Sequence, residues 1–108
     1  MRQIPLRTVE AQVRGQDAPV TVDYAELLYR ALMFSARGGH SLQEIRERMP
    51  VLDRVEKAIE EKAEWVRLED AQHQVVVRAL AVYPFGLVHA AIVAFADAVE
   101  GAPEVEPA

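Results

Sequence analysis

Two helix-capping boxes decide most of what this chain can become. In Asp23-Tyr-Ala-Glu26, and again in Ser41-Leu-Gln-Glu44, a side chain that accepts an amide proton stands three residues before a carboxylate that can reach back. Each marks a helix start. Gly38-Gly39, between them, supplies a stop, because glycine tolerates the left-handed conformation in which helices end. The first helix places Leu27, Leu28, Ala31 and Leu32 on one side, with Phe34 near its end. The second runs to about Met49, with Leu42, Ile45 and Met49 on one face. Pro50 lacks an amide proton and clashes with a continuing turn, so it predicts a break and a fresh helix. That third helix carries Val51, Leu52, Val55, Ala58 and Ile59 inward and a charged outer face.

The flanking segments are patterned differently. Ile4/Leu6 and Val20/Val22 alternate with polar residues around the loop-forming cluster Gly15-Gln16-Asp17-Ala18-Pro19. Residues 1–22 therefore read as a β-hairpin, or as an extended arm ordered on a neighbour. Folding back on the chain's own helices is the favoured alternative, since an isolated hairpin is marginal. Trp65-Val-Arg-Leu68 is β-prone and can complete a small sheet with the arm. Asp70 is expected to cap a helix over 71–82 with Val75, Val76, Ala79 and Leu80 inward, stopped by Pro84 and Gly86. A last helix over about 87–100 carries Val88, Ala91, Ile92, Phe95 and Val99. The acidic, Pro-containing tail 101–108 reads as disordered. The expected fold is mainly α: about five short helices over 23–100, an N-terminal β-hairpin or arm over 1–22, and a winged-helix-like element as an option.

Composition narrows the function classes. A chain of 108 residues favours one domain. Lys and Arg number 12 against 17 Asp and Glu, so the net charge of −5 does not draw the chain to phosphate backbones or anionic membranes. The absence of cysteine excludes disulfides, thiolate metal sites and cysteine nucleophiles. The N-terminal residues MRQIPLRTVE lack a signal-peptide apolar region, and 79–99 is too interrupted for a membrane span. A cytoplasmic setting is the expectation, with no membrane partner.

Two binding readings compete for GGHSLQEIRERMPVLDRVEKA, residues 38–58. Helix, break and helix have helix-turn-helix proportions, and WVRL could form part of a wing. Under that reading Arg46, Arg48, Arg54 and Lys57 would touch DNA. Yet residues 51–64 hold five acids, Asp53, Glu56, Glu60, Glu61 and Glu64, against three bases. A reading helix needs donors aimed at base edges and phosphates, so nucleic acid is the less favoured partner. Protein–protein contact is favoured instead, anchored by Trp65, Tyr83, Phe85, Ile4 and Leu6. Tyr83-Pro84-Phe85-Gly86, a loop with two aromatics, is the first choice for an exposed contact point, and the arm could add a strand to another subunit. His40, His73 and His89 show no metal-ligand spacing, and no phosphate-binding glycine motif occurs. No cofactor and no catalytic residue is expected.

The segments IPLRTVE, VTVDYAELLYRAL, GGHSLQEIRERMPVLDRVEKA and VRLEDA, in that order, resemble short accessory and structural proteins encoded by tailed bacteriophages and prophages. The resemblance implies a small non-enzymatic protein of virion assembly or phage–host interaction that acts by binding a protein partner or itself.

Overall fold

The computed structural model describes residues 1–35 and 37–106. Its elements, in chain order, are β1 (Arg2–Pro5), β2 (Thr8–Ala11), β3 (Val20–Asp23), α1 (Tyr24–Met33), α2 (Leu42–Glu60), β4 (Trp65–Leu68), α3 (Asp70–Val82) and α4 (Ala90–Glu100). The mainly helical domain with a small amount of β structure is as the sequence pattern suggests. Among the described residues there are four helices rather than about five, because the two expected on either side of Pro50 are one.

The capping residues act where the sequence places them. The Asp23 carboxylate accepts the amide protons of Ala25 and Glu26, at 3.0 and 3.4 Å. Ser41 Oγ accepts that of Glu44 at 3.2 Å. α1 ends earlier than the glycine pair: Phe34 already turns extended, with φ −64° and ψ 127°. Gly38 and Gly39, at φ 96° and 78°, shape the connection to α2 instead. α3 begins one residue earlier than the sequence suggests, with Glu69 as its cap and Gln72 Oε1 accepting the Glu69 amide proton. α2 ends in a Schellman turn: Ala63 donates to the Ala58 carbonyl and Lys62 to that of Ile59. Lys62 takes the left-handed position there, at φ 53°.

α2 runs unbroken through Pro50. Proline in a helix interior removes one hydrogen bond, here the one that would reach the Arg46 carbonyl, at a cost of about 3 kcal/mol relative to alanine. Arg46 and Pro50 both lie on the exposed side, so water can satisfy that carbonyl. On the other side Val51, Leu52, Val55 and Ala58 are buried, and burial of apolar side chains at about 1.5–3 kcal/mol each for the larger ones outweighs the loss. The break needed for a helix-turn-helix is therefore absent.

The β segments close the domain. β2 and β3 form an antiparallel hairpin in which Val9 faces Val22, and Thr21 donates to Glu10 across the strands. β1 pairs not with the hairpin but with β4, matching Ile4 to Val66 and Pro5 to Trp65. The arm is thus folded onto its own chain. Its Ile4, Ala11 and Val22 join Tyr24, Leu28, Val51, Val55, Val76, Phe95 and Val99 in a single core.

The tail corrects the expectation of disorder over 102–106; Pro107 and Ala108 lie outside the described residues. Gln3 donates to the Pro103 carbonyl, and Met1 and Val105 exchange backbone bonds. Arg2 reaches the Ala102 carbonyl, and Ala102 is buried. Composition alone read this stretch as solvated, but β1 has a second edge whose donors and acceptors need partners, and the tail supplies them.

Two measurements check this architecture. Pro50→Ala should raise unfolding free energy by about 1–3 kcal/mol in urea titration; no gain would mean that α2 is broken there. Truncation after Gly101 should lower stability by about 2–4 kcal/mol, through several lost hydrogen bonds and an uncovered core edge. An unchanged urea midpoint would refute the packed tail.

Candidate protein-contact surface

Two apolar stripes flank Pro50, and on one continuous helix their mean directions differ. At 3.6 residues per turn, Leu42, Ile45 and Met49 centre well over 100° around α2 from Val51, Val55 and Ala58, whereas Leu52 lies about 20° from Ile45 yet is buried, so position along the helix decides exposure as well as direction. The second stripe faces the core. The first faces out, leaving Leu42, Ile45 and Met49 at 62%, 44% and 50% exposure.

The packing of α1 explains why nothing covers them. α1 runs back along α2, and its C-terminal end is fixed beside Arg48, whose guanidinium donates to the carbonyls of Ala31, Leu32 and Phe34 at 3.3, 3.0 and 3.4 Å. These are groups that a helix end leaves without partners, and a cation there also complements the helix dipole. α1 spans roughly 15 Å and α2 roughly 28 Å. The first turns of α2 therefore project beyond α1. On their other side they lean on α3, where Glu47 pairs with Arg78 at 2.9 Å.

Several grooves flank this framework. One of about 600 Å³ lies between the start of α2 and α3 and is lined by His40, Glu44, Glu47, Arg48 and Arg78. Its polar groups are engaged with one another and with the chain. His40 lies between the Glu44 carboxylate and the Phe34 carbonyl, 2.8 Å from each. A second groove of about 420 Å³ separates α1 from the C-terminal half of α2, with Tyr29 and Ile59 at its base and Asp23, Glu26, Glu56 and Glu60 around it. A third, shallow and about 450 Å³, holds Trp65 with Arg54, Lys57 and Arg67.

The contact residues named from sequence separate into two groups. Ile4 is fully buried, and Leu6 packs against the core, so both belong to the interior. Tyr83 and Phe85 are half-buried, not displayed. They stand edge-to-face with each other, with Phe34 on one side and Phe95 on the other, and Phe95 packs on Tyr24. A loop of two aromatics beside a helix rich in small residues fills the space those residues leave. Trp65 alone of the five remains substantially open, at 42% exposure.

Of the residues named for DNA contact, Arg54 and Lys57 share the Trp65 surface, whereas Arg46 and Arg48 lie apart from it. Arg48 caps α1 as described, and Arg54 donates to the Arg67 carbonyl at 3.0 Å. Arg46 and Lys57 are exposed. The histidines are likewise apart in function. His73 is buried and bonded to the Val99 carbonyl at 2.6 Å. His89 caps α4: its Nδ1 accepts from Ala91, and its Nε2 donates to the Gln12 carbonyl in the hairpin loop. Among the described residues no set of three His, Cys, Asp or Glu side chains is placed to hold a metal ion, no buried side-chain polar atom lacks a partner, and no helix is long and apolar enough to cross a membrane.

Comparison with protein-family models, curated proteins and solved structures finds no match to this chain.

Arg48→Met tests the framework. Leaving the carbonyls at the end of α1 with fewer donors should cost about 1–3 kcal/mol in urea unfolding. A loss below about 0.3 kcal/mol would mean that water serves those carbonyls equally well.

Proposed function

We propose that this protein is a non-enzymatic protein–protein interaction module whose contact surface is the uncovered face of α2. The observation that carries this reading is the exposure of Leu42, Ile45 and Met49 together, at spacings that put them side by side on a rigid helix. Single exposed apolar residues are ordinary, but an aligned set costs solubility and is the usual mark of a surface that meets another molecule. A methionine within it suits a contact that must adapt, because its unbranched side chain repacks readily. The phage resemblance of the sequence supports a setting in virion assembly or as a phage accessory protein. The partner would lay an apolar strip along the first turns of α2, in the manner of helix-in-groove recognition.

The test is retention on immobilised protein. A phage or host lysate is passed over wild type and over the triple variant Leu42→Ser, Ile45→Ser, Met49→Ser, with bound proteins identified by mass spectrometry. A discrete partner held by wild type and at least tenfold depleted on the variant is expected, with an unchanged helical signal since all three side chains are exposed. Equal retention by both proteins would sink the assignment of this face.

A further inference from the structure

We infer that the protein also binds a second copy of itself head to tail, by seating the Trp65 patch of one copy in the α1–α2 groove of the next. The two surfaces are opposite in charge and alike in having an apolar centre. The groove is floored by Tyr29 and Ile59 and edged by Asp23, Glu26, Glu56 and Glu60, with no basic residue in its lining. Arg30 pairs with Glu26 from outside it. The patch centres on the open indole of Trp65, with Arg54, Lys57 and Arg67 around it and Glu61 as its one acid. In a chain of net charge −5 this concentration of cations is against the average, and it surrounds the most exposed large aromatic side chain.

α2 itself sets the two surfaces apart. Glu56 and Glu60 centre roughly 110° around its C-terminal half from Arg54, Lys57 and Glu61, with Glu60 and Lys57 at the border between the two surfaces. One copy therefore cannot bring its own patch to its own groove, but two copies can meet. The groove, at about 420 Å³, is roomy enough for an indole, and tryptophan and arginine are the side chains that most often anchor interfaces. Patch and groove are different surfaces, so the contact is heterologous. Each copy keeps one unused groove and one unused patch, and association continues into a ring or a filament according to the rotation between neighbours. Leu42, Ile45 and Met49 take no part, so this contact stands or falls apart from the reading above.

A two-fold contact stops at a dimer, so assembly of wild type beyond twice the monomer mass marks the head-to-tail geometry. Size-exclusion chromatography with light scattering, at low salt and over a concentration series, should show wild type above the monomer mass of 12.1 kDa. Glu56→Lys/Glu60→Lys should be monomeric, and so should Lys57→Glu/Trp65→Ala, each at least tenfold weaker in association. Mixed one to one, the two should form a heterodimer and stop there, because the first retains a working patch and the second a working groove. Glu56, Glu60 and Lys57 are exposed, so the helical signal should persist. Should the double variant at Trp65 lose that signal, Lys57→Glu alone replaces it, with the same expected result. A monomeric wild type, variants that still associate, or a mixture that stays monomeric would each overturn the contact. So would co-eluting nucleic acid that Trp65→Ala removes without changing the protein mass.

Discussion

Arg48 fixes where α1 stops along α2, and the exposed surface of the protein depends on that stop. A ten-residue helix laid against a nineteen-residue one must leave part of it bare. Which part is decided by the guanidinium that gathers the last carbonyls of α1 near the middle of the longer helix. The same placement opens the groove over Tyr29 and Ile59 between the other ends of the two helices. The core beneath, from Ile4 to Ala102, is assembled from both ends of the chain, so the α1–α2 pair rests on a base that is tied down by β1, β4 and the C-terminal segment.

Much of this was legible in residue order. Asp23 and Ser41 cap their helices as their spacing to Glu26 and Glu44 implies, because capping is local chemistry that tertiary packing seldom reverses. The pairing of WVRL with the N-terminal arm was legible as well, since two short β-prone segments in a helical chain have few other partners. Pro50 was not legible in the same way. A proline after an amphipathic turn reads equally as a break or as an internal residue with a tolerated loss, and only the packing of Val51, Val55 and Ala58 decides. The change of apolar phase across Pro50 carried the missing signal. On one helix the two stripes differ in mean direction, with Leu52 bridging them, so the pattern favoured a break or a partly exposed face without choosing between them.

The site was less legible than the fold because contact residues are chosen by what covers them, which is non-local. Tyr83 and Phe85 looked like a display loop, yet they fill the space between Phe34 and Phe95. Ile4 and Leu6 were named as partner contacts, yet Ile4 is buried in the strand that pairs with β4 and Leu6 packs against the core. The tail offered no hydrophobic period, and its ordering comes from the unpaired edge of β1, a property of another segment altogether. Leu42, Ile45 and Met49 were visible as a stripe, but their amphipathic spacing is the same whether they face a core or a partner.

Charge distribution gives the surface its direction. Net charge alone sets the chain against polyanions, but it averages over sides that differ. Acids edge the groove beside Tyr29, whereas Arg54, Lys57 and Arg67 gather at Trp65. Such separation is costly to maintain within one small body, because like charges on each side repel. Ion pairs relieve only part of it: Arg30 pairs with Glu26 at the edge of the groove, and Glu47–Arg78 lies elsewhere. Where acids and bases instead gather in different patches around the same helix, a second copy of the chain offers the complementary surface, and that is the basis of the head-to-tail contact proposed above.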